Sequence, residues 1–359
     1  MRKILVFLLM LITVTSFSAV TVTISGWPGN PNEEGAIKTV VDNFNASHTD
    51  IQVNWDPIPG DYKQTLMTRL SAGTAPDIFY VDISVFEEFA RKNVLLPLNL
   101  YFQKDKDIKE TDYFENLMDA FTFAGRIYGI PKDFSTLTLF FNKEIFDKYG
   151  VEYPSSEDTW EDFLKKAEQL KEKGYETPLV LAADFNRVIP FILSFGGELV
   201  KADLSTALTE KKSLEAMEFY VNLANKYGVG YEPSAVGSGW IGEAIAAGKV
   251  AMGMSGPWTK GLIDESYPDM KNKIGIVELP TGEKKSSMIY TVSWSINRQT
   301  KNRAEAWEVL KYLVTEGQKV FTEKTSILPS RKDLAANDTD SAKKAFYDSV
   351  SYGQPWSVP

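Results

Sequence analysis

The chain has 359 residues, of which 43% are hydrophobic and 24% charged, so it is long enough for two ordinary globular domains. Its net charge of −9 argues against nucleic acid as a partner and against adhesion to anionic membranes, because both need basic surfaces. The lack of cysteine and the single histidine exclude disulfides, thiol catalysis and multi-histidine metal sites, and no cofactor is expected.

Residues 1–18 have the pattern of a secretory signal peptide. Arg2 and Lys3 supply a positive start, and the apolar run 4–14 is too short to span a membrane. Small residues precede the predicted cleavage point after Ser18. A lipid anchor would need a cysteine there, so the mature protein is expected in the periplasm and not as a lipoprotein.

The next part of the chain alternates between strand and helix patterns. Residues 20–25 and 51–55 alternate apolar and polar side chains, and Ile78-Phe-Tyr-Val81 is a short apolar run typical of a buried parallel strand. Apolar residues at helical spacing fill the intervals, over 37–44 and 62–71. This alternation predicts an α/β lobe with helices on both faces of a sheet.

The same alternation returns in the second part of the chain. Thr159-Trp-Glu-Asp162 resembles a capping box and is followed by a helical stripe that includes Trp160 and Phe163. The predicted strands are short apolar segments at 137–141, 178–181, 250–254 and 274–277. A second α/β lobe without a linker suggests a chain that crosses between the lobes more than once.

Motifs for catalysis are weak. Gly237-Ser-Gly-Trp-Ile-Gly242 matches a dinucleotide-binding string, but loop-like residues precede it where that fingerprint needs a buried strand. A glycosidase would need two facing carboxyl groups, and carboxylates are plentiful, but no local pattern indicates such a pair. A secreted glycosidase therefore remains a minor alternative.

Four tryptophans stand beside glycine, proline or serine in predicted loops, namely Trp27, Trp240, Trp258 and Trp356. An exposed indole is costly unless something covers it, and its flat apolar face with a polar edge suits a sugar ring. Packing of each loop tryptophan against a neighbouring helix is the competing interpretation.

Ordered motifs extend over nearly all of residues 20–356. They are Ala72-Gly-Thr-Ala-Pro-Asp77, Arg126-Ile-Tyr-Gly-Ile-Pro131, Phe141-Asn-Lys-Glu-Ile-Phe146, Thr159-Trp-Glu-Asp-Phe163, Gly196-Gly197, Gly248-Lys-Val-Ala-Met252, Ser255-Gly-Pro-Trp258, Asn302-Arg-Ala-Glu-Ala-Trp307 and Leu328-Pro-Ser-Arg331. Taken in this order they resemble the extracellular sugar-binding proteins that serve ABC importers, the maltose- and trehalose-binding type.

The resemblance implies an α/β, two-lobed periplasmic binding protein fold with three interlobe crossings and a central ligand cleft that closes by a hinge. The crossings are placed near 130–134, 290–295 and 328–331. The implied lobes comprise 19–131 plus 292–328 for the N-terminal lobe, and 132–291 plus 329–359 for the C-terminal lobe. At the second crossing the family usually carries a Gly-Gly pair, whereas this chain has Tyr290-Thr-Val-Ser-Trp294.

The resemblance also implies a non-catalytic, monomeric receptor. It would bind a di- or oligosaccharide, such as a maltose-like sugar, and deliver it to the permease subunits of an ABC importer. The predicted ligand-binding residues are Trp27, Glu33, Asp82, Asp133, Asn186, Trp240, Trp258, Arg331 and Trp356. Among them Glu33, Asp82, Asp133 and Arg331 are expected to converge on one cleft, where charged groups would orient sugar hydroxyls.

Two further expectations concern the chain's end and its ligand. Family members normally continue beyond residue 359 with terminal helices, so we expect a truncated or unusually short member with uncovered apolar side chains on the lobe that contains Trp160 and Phe163. A protein of this fold that binds a peptide, a polyamine or iron is the main alternative. The loop tryptophans favour a sugar, and the scarcity of histidine disfavours iron.

Overall fold

The computed structural model describes residues 19–29 and 31–355. The predicted signal peptide and Trp356 lie outside the described residues. In chain order the strands are β1 (Val20–Ser25), β2 (Ile51–Trp55), β3 (Ile78–Asp82), β4 (Thr122–Phe123), β5 (Arg126–Ile127), β6 (Ile130–Thr136), β7 (Thr138–Asn142), β8 (Leu179–Val180), β9 (Gly230–Tyr231), β10 (Met252–Ser255), β11 (Ile274–Val277), β12 (Met288–Ile296), β13 (Leu328–Pro329) and β14 (Gln354–Pro355).

Helices occupy most of the segments between the strands. They are α1 (Pro31–Ser47), α2 (Tyr62–Ala72), α3 (Ile83–Arg91), α4 (Asn99–Lys104), α5 (Glu115–Ala120), α6 (Lys143–Tyr149), α7 (Trp160–Glu172), α8 (Phe185–Ser194), α9 (Lys211–Asn225), α10 (Ile241–Ala246), α11 (Pro257–Ser266), α12 (Arg303–Val314), α13 (Glu316–Lys324), α14 (Lys332–Ala336) and α15 (Lys344–Val350). Short 3₁₀ turns lie at Glu110–Asp112, Pro233–Val236, Pro268–Met270 and Ser341–Lys343.

The first sheet has the strand order β13-β6-β12-β3-β1-β2, and β14 pairs with β12. Alternation along β3 sends its side chains to two cores, as the pleat of a strand requires. Ile78 and Tyr80 pack with α1 and α12, whereas Phe79 and Val81 pack with α2 and α3. Helices therefore cover both faces, which confirms the predicted α/β lobe.

The second sheet has the order β11-β7-β10-β8-β9 and is also covered on both faces. One face packs against α7, α8 and α9, and the other packs against α10, α11 and α15. The predicted capping box is present at the start of α7. The Thr159 hydroxyl accepts a hydrogen bond from the Asp162 N–H at 3.1 Å, and the Asp162 carboxylate accepts one from the Thr159 N–H at 3.0 Å.

The two sheets are joined through neighbouring strands. β6 belongs to the first sheet, β7 belongs to the second, and Leu137 alone separates them. β12 and β13 flank β6, so the three segments predicted as crossings lie side by side. Along the β6–β12 pairing, Val292 is opposite Asp133 while Ser293 is opposite Pro131. Lys132 is thus the extra residue of a β-bulge. This architecture is the predicted two-lobed fold, with a first lobe built on the first sheet and a second lobe on the second.

Two tryptophans predicted in loops lie at helix starts instead. Trp240 is the N-terminal cap of α10, and Trp258 follows Pro257 in the first turn of α11. Proline suits that turn because its missing N–H would have no partner there, so the Gly-Pro sequence begins a helix and not a loop.

Apolar exposure is uneven between the lobes. Trp160 and Phe163 are buried. Among the described residues, the exposed large apolar side chains are Leu100 in the first lobe and Tyr153, Phe185, Leu204, Leu214, Val221, Trp240 and Trp258 in the second. Within the described residues, no helix combines the length and the hydropathy needed to cross a membrane.

Candidate functional site

A cavity of about 740 Å³ lies between the two lobes. Trp27 follows β1 and Asp82 ends β3, so the cavity lies at the carboxyl ends of parallel strands, where ligands of open α/β sheets bind. The described lining residues are Trp27, Asn32, Glu33, Asp82, Lys132, Asp133, Ser135, Trp240, Pro257, Trp258, Gly261, Leu262, Glu265, Tyr290, Thr291, Val292, Glu323, Lys324, Thr325, Ser326 and Ile327.

Fixed aromatic and acidic side chains form the first-lobe wall. Trp27 is half-buried and packs edge-on against Tyr62 and Tyr80, with ring centroids 5.2 and 5.1 Å apart. Asp82 caps α3, because its carboxylate accepts a hydrogen bond from the Ser84 N–H at 2.9 Å. These contacts hold both side chains in place at the cavity edge, so little ordering would be needed when a ligand binds.

Lys132 and Asp133 form a buried ion pair in this wall. The Lys132 ammonium also lies 5.1 Å from the centroid of the Tyr80 ring and 4.5 Å from that of Phe321. Neighbouring residues of a regular strand point to opposite faces, but the bulge at Lys132 lets both side chains reach the cavity. Sequence reasoning selected Asp133 and missed Lys132 for this reason.

The carboxyl group of Glu33 lies close to this pair. Burial raises the pKa of Glu33 above its ordinary value of 4.5, Lys132 lowers it, and the charges of Asp133 and Glu34 raise it further. The net direction is upward, so Glu33 binds a proton more readily in the folded protein than in the unfolded chain.

Glu33 should make stability depend on pH in a defined direction. Because the folded-state pKa is raised, Glu33 contributes stability below pH 4.5 that is lost as pH rises through the folded-state pKa. We expect the free energy of unfolding of the wild type, relative to Glu33→Gln, to fall as pH rises across this window. Urea unfolding of both proteins at several pH values measures it. A constant or rising difference would contradict the raised pKa.

The second-lobe wall carries Trp240 and Trp258, with 39% and 36% of their surfaces exposed. The ring of Trp258 is edge-on to Tyr290 at 5.6 Å. Each indole lies against a glycine, Trp240 against Gly242 and Trp258 against Gly256, and a Cβ at either glycine would overlap the ring. The two glycines therefore leave the space that the two exposed rings occupy. In the sequence, this arrangement is indicated by a glycine two positions from each tryptophan.

Gly242→Ala is expected to displace the indole of Trp240, and because the added Cβ would also lie 2.4 Å from the buried Thr259 hydroxyl, the melting temperature without ligand is compared with the wild type first. We expect weaker binding of any ligand that contacts Trp240, by an amount close to that of Trp240→Ala. Calorimetry on the two single variants and the double variant measures it. If Gly242→Ala has no effect, or if its effect adds fully to that of Trp240→Ala, the glycine does not act through the ring.

The lobes also touch each other beside the cavity. The Asn32 amide of α1 donates a hydrogen bond to the Glu265 carboxylate of α11. Gly261 of α11 lies so close to Ser326 that an added Cβ would be 2.7 Å from the Ser326 hydroxyl oxygen. The two walls are therefore in contact along one side of the cavity.

Six of the nine predicted ligand-binding residues line this cavity: Trp27, Glu33, Asp82, Asp133, Trp240 and Trp258. Asn186 lies at the start of α8 and is not among the lining residues. Arg331 does not join the other three charged residues. The Arg331 guanidinium donates two hydrogen bonds to the Asp333 carboxylate, each at 2.9 Å. The backbone N–H of Arg331 donates to the side-chain oxygen of Gln318 at 3.0 Å. Trp356 lies outside the described residues.

Known proteins and one protein family match most of this chain. Residues 30–320 match the model of the bacterial extracellular solute-binding protein family. A lactose-binding protein of Rhizobium radiobacter is 25% identical over 316 residues, which are 84% of this chain and 73% of that protein.

Two solved structures share the fold. One is the sugar-binding protein MalE of Xanthomonas citri, with a TM-score of 0.82, 22% identity and coverage of 94% of this chain and 86% of that one. The other is the GacH receptor of Streptomyces glaucescens, studied with acarbose, with a TM-score of 0.80, 23% identity and coverage of 94% and 88%. The family match spans well over half of the chain and favours a binding protein over a glycosidase. The chain therefore belongs to the bacterial extracellular solute-binding protein family.

Proposed function

We propose that this protein binds a carbohydrate, a di- or oligosaccharide, in the cavity between its lobes and delivers it to an ABC importer. The observation that carries the proposal is the composition of the cavity. The exposed indoles of Trp240 and Trp258 line it from the second lobe, the half-buried indole of Trp27 lines it from the first lobe, and several carboxylates share the lining. Indole faces suit the C–H faces of sugar rings, and carboxylates accept hydrogen bonds from hydroxyls.

The charges of the cavity favour a neutral sugar. Its described lining has five carboxylates, from Glu33, Asp82, Asp133, Glu265 and Glu323, against two ammonium groups, from Lys132 and Lys324. One ammonium group, that of Lys132, is already paired with Asp133. A sugar acid would place a further negative charge in this acidic cavity, and like charges at such distances repel. We therefore exclude uronic acids from the proposed ligands.

The proposed cellular role follows from the predicted signal peptide. After cleavage behind Ser18 the protein would be a periplasmic monomer without a lipid anchor. It would present the closed, loaded form to the permease subunits of the importer. Several relatives have names that agree with such a role, among them an arabinooligosaccharide-binding protein of Halalkalibacterium halodurans.

The proposal is tested with residues 19–359 in a thermal-shift screen against neutral mono- and oligosaccharides, with matched uronic acids alongside. A ligand that binds only the folded state raises the melting temperature. The expected result is a shift with at least one neutral sugar, which thin-layer chromatography then recovers intact. Cleaved sugar would point to a glycosidase. A shift with peptides or polyamines and with no sugar would reject the proposed ligand class.

A further inference from the structure

The bulge that brings Lys132 into the cavity interrupts the strand pairing on both sides of β6. On one side, Lys132 has no partner residue in the described pairing of β6 with β12. On the other side, the pairing of β6 with the edge strand β13 ends where Asp133 is opposite Pro329. Backbone groups at a bulge lose their partners in the ladder, and buried carbonyl groups need others.

Side chains supply these partners for two successive carbonyl groups of β6. The Pro131 carbonyl accepts a hydrogen bond from the Ser330 hydroxyl. The Lys132 carbonyl accepts one from the side-chain amide of Gln318 at 2.7 Å. The residues before and at the bulge are therefore held by side chains that come almost 200 positions later in the chain.

The Gln318 amide makes three hydrogen bonds in all. Its nitrogen donates to the Lys132 carbonyl and also to the Ser330 hydroxyl, at 2.8 Å. Its oxygen accepts a hydrogen bond from the Arg331 backbone N–H at 3.0 Å. Gln318 is buried, and it belongs to α13, whereas its partners lie on β6 and directly after β13. One buried side chain thus ties α13 to two of the three crossing segments.

Little space exists in which solvent could replace this amide. The cavity beside Gln318 has a volume of about 10 Å³, and its lining includes Gly317 and Phe321. Such a volume holds at most about one water molecule. An apolar side chain at position 318 would therefore leave the Lys132 carbonyl with one water at most as its partner.

We propose that Gln318 is a positioning residue of the binding site, which fixes the bulge of β6 and thereby places the Lys132–Asp133 ion pair in the cavity wall. Neighbouring side chains of a regular strand point to opposite faces, so without the bulge one of the two would turn away from the cavity. Gln318 itself is not among the described lining residues, so it would act on a ligand only through this pair. The inference rests on the proposed function, because it takes the cavity to be the sugar site.

Gln318→Met keeps the length of the side chain and removes the amide. We expect it to weaken binding of the sugar found by the thermal-shift screen by about tenfold, the loss of one charge-assisted hydrogen bond from a displaced Asp133. Calorimetry measures the affinity. Asn45→Leu is the matched control, because the Asn45 amide bonds both the carbonyl and the N–H of Val53, at 2.9 and 2.7 Å, and does not line the cavity. It should lower the melting temperature and keep the affinity.

Two readouts separate positioning from a general loss of stability. In the double variant with Gln318→Met and Asp133→Asn, the affinity should be close to that of Asp133→Asn alone, because Gln318 acts through the ion pair. Gln318→Glu should be rescued by acid, because a protonated carboxyl group regains a donor for the Lys132 carbonyl. The ratio of wild-type to Gln318→Glu affinity should therefore fall toward one between about pH 9 and about pH 5. The same ratio for Gln318→Met should stay constant, since taking ratios at each pH removes the titration of native groups such as Glu33.

The outcomes distinguish this inference from the proposed function. If Gln318→Met binds the sugar as tightly as the wild type, or if its effect adds in full to that of Asp133→Asn, Gln318 is not a positioning residue and the proposed function stands. If Gln318→Met does not fold, the pH series of Gln318→Glu decides, and a constant ratio overturns the inference.

If no sugar binds the wild type, the proposed function fails and a crystal structure of Gln318→Met tests the inference alone. Lys132 or Asp133 turned away from the cavity would support it. An unchanged bulge, with both side chains still in the cavity wall, would overturn it.

Discussion

Trp258→Ala is expected to weaken sugar binding by about 1–3 kcal/mol, the effect of removing one aromatic contact face from a binding site. The ring is fixed on three sides, by Gly256, by Tyr290 at 5.6 Å and by Arg187 at 5.9 Å, yet 36% of it is exposed in the cavity. An indole held in this way has little conformational freedom to lose when a sugar ring covers it. Calorimetry with the sugar found by the thermal-shift screen measures the loss.

Trp258→Phe is the matched variant, because it keeps an aromatic face and removes part of the contact area. It should lie between the wild type and Trp258→Ala. Circular dichroism and the melting temperature without ligand check that each variant is folded. Equal affinities for all three folded proteins would show that Trp258 does not contact the sugar.

The second large effect is expected in stability. Lys132→Ala should lower the free energy of unfolding by about 3–5 kcal/mol, because it leaves the Asp133 carboxylate buried without its partner. Glu33 lies nearby, and its pKa should rise further once the lysine charge is gone. Urea unfolding at neutral pH measures the loss, and acid pH should restore part of it as the carboxyl groups take up protons.

Lys344→Ala is the control for Lys132→Ala. Lys344 also pairs with an aspartate, Asp348, but this pair lies on the exposed surface of α15. Its removal should leave the free energy of unfolding nearly unchanged. If the two lysine variants lose the same stability, or if neither loses any, the buried pair does not hold the cavity wall as described here.

The fold could be predicted because its signals are local and repeated. Alternating apolar residues marked β1 and β2, and a continuous apolar run marked β3, since each pattern reports how many faces of a strand are buried. The capping box at Thr159 gave the start of α7 for a similar reason: it is made by residues three apart in sequence.

The site was predicted less completely because parts of it depend on irregular or distant features. The bulge that brings Lys132 into the cavity is set by the pairing of β6 with β12, more than 150 positions later in the chain, and no pattern near Lys132 indicates it. Arg331 shows the converse. Its position at a crossing suggested a ligand contact, but Asp333, two residues further on, takes its guanidinium.

The arrangement of β6, β12 and β13 also bears on the entropy of binding. Strands β12 and β13 are each hydrogen-bonded to β6 where the lobes meet, so the two walls of the cavity are linked through a common strand. We expect the lobes to close by bending at these strands, as the resemblance implies, so a ligand that contacts both walls would shift an equilibrium that the strands already restrict. The measured affinity is then the intrinsic affinity multiplied by the closed fraction. Substitutions at Leu137, the single residue between β6 and β7, should therefore change affinity without touching the sugar.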